Sequence, residues 1–179
     1  MKTFRIFSIG MFLLGMAMTG FSQNEETREP LKLSGPRFGI TVIGGDMAKY
    51  METNDLSTYM SQFGWQFETR YFQTKSGYQG LFEFVPLIGG LESKQSALSM
   101  NLLVGFRTPL GLEVGVGPNF AVRGFFADDL IATTSMLYAI GYSFKVDEVN
   151  IPINLAFSPS SIGSKVTVLV GFNIRQREQ

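Results

Sequence analysis

Ser61-Gln62-Phe63-Gly64-Trp65-Gln66-Phe67-Glu68-Thr69-Arg70-Tyr71-Phe72 is the stretch whose reading decides the fold. Its odd positions carry Phe63, Trp65, Phe67 and Tyr71, and its even positions carry Gln62, Gly64, Gln66, Glu68 and Arg70. Successive side chains of a strand point to opposite faces, so this pattern makes a strand with one aromatic face and one polar or small face. A helix would scatter the same residues around its circumference.

Seven further segments repeat the alternation. The first strand is read from Arg37 to Ile43, with Phe38, Ile40 and Val42 on one face. The third, Tyr78 to Leu87, sets Phe82 and Phe84 against Glu83. The fourth, Ser96 to Thr108, sets Leu98, Met100, Leu102, Val104 and Phe106 against Ser99, Asn101, Gly105 and Arg107. The fifth sets Leu112, Val114 and Val116 against Glu113, Gly115, Gly117 and Asn119, and the sixth sets Met136, Tyr138, Ile140, Tyr142 and Phe144 against Ser135, Gly141, Ser143 and Lys145. The seventh runs from Val149 to Phe157. The eighth sets Val166, Val168, Val170, Phe172 and Ile174 against Lys165, Thr167, Gly171, Asn173 and Arg175. Leu81, Val85, Leu87, Leu103, Leu137 and Leu169 interrupt the polar face, which is therefore mixed.

The connections alternate in length. Residues 44–60, 88–95, 120–134 and 158–164 are the longer ones; 73–77, 109–111 and 147–148 are tight. Short turns at one end and longer loops at the other are the habit of outer-membrane barrels. A soluble sandwich has no reason to sort its loops by parity. The expectation is an all-β, eight-stranded antiparallel up-and-down transmembrane β-barrel, preceded by a signal peptide.

The N-terminus supplies the export signal: Lys2 and Arg5, a largely apolar run from Ile6 to Met18, then Gly20-Phe21-Ser22. The apolar run of about 13 residues is shorter than the roughly 20 a spanning helix needs. Residues 1–22 are read as the signal, 23–36 as a periplasmic linker, 37–175 as the barrel and 176–179 as a tail. The localisation that follows is the outer membrane, with the periplasm as the alternative.

Composition removes much chemistry. The chain has no Cys and no His, so it offers no disulfide, no thiol or imidazole catalysis and no His-ligated metal site. Lys plus Arg equal Asp plus Glu, which argues against a nucleic-acid partner. Neither a cofactor nor a metal is called for. Asp46, Glu52, Asp55, Asp128 and Asp129 match no Ca²⁺ loop and read as solvated loop charges. Few acid–base couples are available; Glu83 with Ser99, or Glu113 with Asn119, can be imagined, and the chain is read as no enzyme.

The polar face is instead read as a lumen network of Glu68, Arg70, Glu83, Arg107, Glu113, Lys145, Lys165 and Arg175. A two-residue turn at Ser76-Gly77 places Arg70 across from Glu83, and the turn at Pro109-Leu110-Gly111 places Arg107 across from Glu113. Eight strands leave a lumen that side chains fill, so the network reads as a structural plug rather than a gate. Phe63, Trp65, Phe67, Tyr71, Phe106, Tyr138, Tyr142 and Phe172 are read as lipid-facing aromatics, with Trp65, Tyr71, Tyr142 and Phe157 toward strand ends. Pro152, mid-strand, predicts a bulge or local break. The stretch Met47 to Met60 predicts a short helix capped by Asn54 or Asp55, with an apolar Met- and Tyr-rich surface.

The export signal, the eight amphipathic strands and Phe172-Asn173-Ile174 in the last of them resemble the small outer-membrane barrels of the OmpA/OmpX type. Ser61-Gln62-Phe63-Gly64-Trp65-Gln66-Phe67-Glu68 and Gly115-Val116-Gly117-Pro118-Asn119 resemble phrases of exported barrel proteins of Gram-negative bacteria. The resemblance implies outer-membrane lipid and the barrel-insertion machinery as partners. Members usually end in an aromatic residue, whereas Arg175-Gln176-Arg177-Glu178-Gln179 closes this sequence. The function expected is non-catalytic: envelope structure, or adhesion and partner docking through the 44–60 and 120–134 loops. The alternative is a soluble periplasmic lipocalin-like barrel that binds an apolar ligand.

Overall fold

A computed structural model describes residues 32–91, 96–124, 131–146 and 149–175, without the side chains of 32–34, 145–146 and 174–175. The signal expected over residues 1–22, the linker as far as residue 31 and the 176–179 tail lie outside the described residues. Nine strand segments form one antiparallel sheet: β1 (Lys32–Ile43), β2 (Tyr59–Gln73), β3 (Gln79–Gly89), β4 (Ala97–Arg107), β5 (Leu112–Arg123), β6 (Ile131–Val146), β7 (Val149–Ser158), β8 (Lys165–Gly171) and β9 (Asn173–Arg175). From β1 to β8 each strand pairs with its sequence neighbours, and β1 pairs with both β2 and the β8–β9 stave, which closes the cylinder. β8 and β9 share one register against β1 and β7, so the barrel has eight staves. Closure gives every stave a neighbour on both sides, although residues 131–137 of β6 run past their pairing with β7.

Strand ends differ from the expectation in an instructive way. β1 starts at Lys32 rather than Arg37, with Lys32 across from Thr69. β5 continues to Arg123 and β6 begins at Ile131, so residues 120–123 and 131–134 of the expected 120–134 loop are strand, and residues 125–130 lie outside the described residues. Phe120 and Ala121 simply extend the outward–inward alternation past Pro118. The parity of connections persists in the spacing of the strands: the intervals after β1, β3, β5 and β7 are longer than those after β2, β4 and β6.

Four prolines sit inside strands, and each interrupts one ladder while leaving the other whole. Pro152 pairs with Ser143, yet the ladder on its other side lapses at Phe172, between β8 and β9. Pro36 pairs with Trp65 and flanks the same lapse from β1. Pro86 and Pro118 pair with Met100 and Met136 and interrupt β2–β3 and β4–β5. A proline has no N–H to give, so one neighbour must do without. Only Pro152 was anticipated. The chains crowd at these breaks: a Cβ on Gly35 would meet the Phe172 carbonyl oxygen at 1.5 Å, and one on Gly117 the Leu102 oxygen at 1.8 Å.

The two tight turns that are fully described share one design. Thr74 donates its N–H to the Tyr78 oxygen at 2.8 Å and accepts from Gly77 at 3.0 Å; Thr108 does the same with Leu112 and Gly111, at 2.8 and 3.0 Å. The threonine hydroxyls accept from the N–H of Tyr78 and Leu112. Gly77 and Gly111 stand at φ 86° and 90°, where other residues are strained. Their neighbourhoods differ. A Cβ at Gly111 would lie 2.4 Å from the Ser143 oxygen, but one at Gly77 meets nothing nearer than Pro109 at 3.3 Å. Gly77→Ala should cost about 1–2 kcal/mol from backbone strain alone, and Gly111→Ala more. Urea unfolding of the two variants side by side checks the order.

Helix α1 (Asp46–Thr53) leaves β1 and folds over the loop end of the barrel. Its Met47 and Met51 pack with Leu56 on Ile43, Met60 and Ala97. The Met47 N–H bonds to the Ile162 oxygen at 2.8 Å, which ties the helix to the β7–β8 connection. Gly45 is its N-cap and Asn54 its C-cap.

Candidate functional site

Polarity is inverted relative to a soluble barrel. Phe63, Trp65, Phe67, Tyr71, Phe106, Tyr138, Tyr142 and Phe172 all stand on the outer surface, as do Leu102, Val116, Ile140, Leu155 and Val168. Arg37, Glu68, Arg107, Glu113 and Asn173 lie inside, each at most 4% exposed. A β-bulge at Tyr71 turns Tyr71 and Phe72 outward in succession. Their rings cover Gly80 and join Tyr78, Phe82 and Phe106 in one aromatic band near the tight-turn end. Tyr142 and Phe144 continue it in an edge-on contact at 4.7 Å. Trp65 differs from the expectation: it sits mid-strand, across from Pro36.

The tight-turn half of the lumen is filled by charge. Arg107 donates from Nε to Glu113 at 2.7 Å, and from both terminal nitrogens to Glu68 at 2.8 and 2.5 Å. Gln79 accepts a further contact at 3.4 Å, and the Ser143 hydroxyl donates to Glu113. Glu83 completes a carboxylate cluster with Glu68 and Glu113, one oxygen from each lying within 4.8 Å of the others. Arg107 engages two of the three, so the cluster is organised around a guanidinium. Beside it, Arg37 donates to Gln66 at 2.8 Å, to the Pro36 oxygen at 2.9 Å and to the Asn173 side chain.

This arrangement corrects the register expected at the first tight turn. Glu83 lies across from Glu68, and Arg70 across from Leu81. The turn pivots on Thr74 and Gly77 rather than on Ser76-Gly77, and the bulge at Tyr71 adds a further shift. Arg70 is half-buried nearer the turn. Lys165 is also elsewhere: it pairs with Ile43 and Ser158 at the loop end of the lumen, away from the plug. The side chains of Lys145 and Arg175 are outside the described residues. Arg37, Gln66 and Asn173 were not singled out, although alternation put Arg37 and Asn173 on the inner face. Glu113 meets Arg107 and Ser143 rather than Asn119, which removes that one of the two imagined acid–base couples.

Above the plug the lumen is mixed: its middle is uncharged, and Arg123 and Lys165 stand at its mouth. Asn119 donates to Asn101 at 2.6 Å, and Ser135 links Asn119 to Ser158 at 3.3 and 2.7 Å. Thr41 and Thr167 share a hydrogen bond at 2.7 Å. Leu87, Leu103, Leu137 and Leu169 fill the gaps between these groups.

No family model and no curated protein matches this chain. Among solved structures it is similar to Ail, the attachment invasion locus protein of Yersinia pestis, with 16% identity, a TM-score of 0.59, and 83% of this chain and 99% of that one covered. A second structure of that protein, in complex with the heparin analogue sucrose octasulfate, matches at 14% identity and a TM-score of 0.51, with the same coverage. The fold is that of the small eight-stranded outer-membrane β-barrels.

Proposed function

We propose that the chain is a non-catalytic barrel of the outer membrane, sealed along its lumen, that serves the envelope or docks a partner through its loop end. The observation that carries this reading is the inverted polarity of a closed barrel. Its described outer face presents Phe, Tyr, Leu, Val and Ile, while Arg37, Glu68, Glu83, Arg107 and Glu113 are inside. A contiguous apolar belt of that extent is costly in water and favourable in hydrocarbon. The aromatic band at the tight-turn end supplies one interface girdle. The alternating loop lengths orient the tight turns toward the periplasm and α1 with the longer connections toward the exterior. Outer-membrane lipid is then the partner of Phe63, Trp65, Phe67, Tyr71, Phe106, Tyr138, Tyr142 and Phe172, and the insertion machinery acts on the chain after export.

The likeness to an attachment protein supports docking as the task of the exposed end. A soluble lipocalin-like barrel would need its apolar residues inside, opposite to their placement. Expression with cell fractionation tests the reading: the folded chain should appear in the outer membrane, with gel mobility that changes on heating. Reconstituted in planar bilayers it should show no steady conductance, because Arg37, Glu68, Arg107 and Glu113 close the lumen. Recovery in the soluble periplasm overturns the placement, and an open channel overturns the plug.

A further inference from the structure

We infer that the loop end of the lumen is a binding site for one tetrahedral oxyanion, a sulfate or phosphate group that enters from above the plug. A cavity of about 60 Å³ lies there, lined by Arg123, Lys165, Asn101, Asn119, Ser158 and Thr167 among others. That volume holds several water molecules or one such anion. Arg123 comes from the end of β5 and Lys165 from the start of β8, so the two reach the mouth from separated staves. Both are half-buried, and near enough for their charges to repel.

Among the described residues no Asp or Glu lines this cavity. Among the described residues the acidic side chains of the lumen are in the opposite half, where Arg107 engages Glu68 and Glu113. Two like charges held together above a neutral floor are a standing cost, and an anion between them relieves it. The floor suits such a guest, because Ser158, Thr167, Asn101 and Asn119 carry hydroxyl and amide groups. Met60 and Ala97 bound the cavity on the side where α1 packs, which gives it a dry wall.

The site stands on barrel geometry alone. It rests on the placement proposed above only in saying that the anion arrives from outside the cell. The test uses the full mature chain folded in uncharged maltoside micelles, titrated with sodium sulfate or with sodium chloride at matched ionic strength. Amide shifts and calorimetry provide the readouts. Sulfate should bind saturably, with shifts centred on Arg123, Ser158 and Lys165, and chloride should not. Arg123→Gln with Lys165→Gln should weaken sulfate binding at least about tenfold, since two charge-assisted contacts are lost. Heat-modifiable mobility reports that this variant is folded. If it fails to fold, Lys165→Gln alone should still weaken binding, and Lys165→Arg should preserve it.

A parallel titration with glucose 6-sulfate distinguishes the source. Tighter binding than sulfate, equally dependent on Arg123 and Lys165, assigns the group to a sugar; equal or weaker binding assigns the free ion. Indistinguishable sulfate and chloride titrations, or a folded double variant that binds like the parent, overturn the site. Neither result bears on the placement, which fractionation reads separately.

Discussion

Arg107→Met should destabilise the folded barrel by about 3–5 kcal/mol, the largest loss expected from any single substitution of the plug. The guanidinium is 2% exposed and makes three bonds to Glu68 and Glu113 between 2.5 and 2.8 Å. Its removal strands those two carboxylates beside Glu83, in a space that water enters poorly. The cost is of stranded charge, not of lost attraction, and the distinction is measurable. Glu68→Gln and Glu113→Gln added to Arg107→Met should recover most of the loss, because a buried ionic group replaced as a whole is often close to neutral. Urea unfolding in lipid vesicles, followed through the lone Trp65 on the outer face, gives both values. A cycle of Arg107→Met and Glu113→Gln should show coupling of about 1–3 kcal/mol. Zero coupling would mean that the 2.7 Å contact contributes nothing.

The same plug shows which parts of the fold a sequence can reveal. Alternation with period two assigns a face, and the inward placement of Glu68, Arg107, Glu113 and Asn119 follows from it directly. Register is a different quantity. It is set by turn geometry, and a shift of two residues leaves every face unchanged while exchanging every partner. The exchange of Arg70 for Glu68 opposite Glu83 is a shift of that kind. A clue was present in the repeated Thr-x-x-Gly of Thr74–Gly77 and Thr108–Gly111, since glycine at the fourth place of a turn permits φ near 90°. The bulge at Tyr71 left a weaker one: two consecutive aromatics, Tyr71 and Phe72, where alternation allows one.

Long-range closure was less legible still. Arg37 and Asn173 meet across 136 positions of sequence, because β1 and the last stave complete the cylinder. Only the eight-stave count, taken with the short lumen it implies, brings their two ends together. The proline rule follows the same logic. Pro36 precedes the first strand as the sequence reads it, and Pro86 and Pro118 lie on outward positions of strands that continue past them, so nothing local marks the ladder that lapses. Which neighbour goes without a donor is decided by pairing parity, and that is known only once register is known.

Leu102→Arg should destabilise the barrel by about 2–4 kcal/mol in a bilayer, and this second substitution tests the placement rather than the interior. Leu102 is 46% exposed at the middle of β4, across from Phe84 on the outer face. In water such a site tolerates a charge, and the change should stay within about 0.5 kcal/mol. Leu112 is exposed to a similar degree, 43%, but opens β5 beside the tight turn. Leu112→Arg should therefore cost only about 0–1 kcal/mol in the same bilayer, where the guanidinium reaches the headgroups. The difference between the two variants carries the argument, because exposure is nearly matched and only depth changes. A membrane imposes that gradient along the staves, whereas aqueous solvent imposes none. Equal, small costs at both sites in lipid vesicles would show that the apolar belt does not face hydrocarbon, whatever the fold.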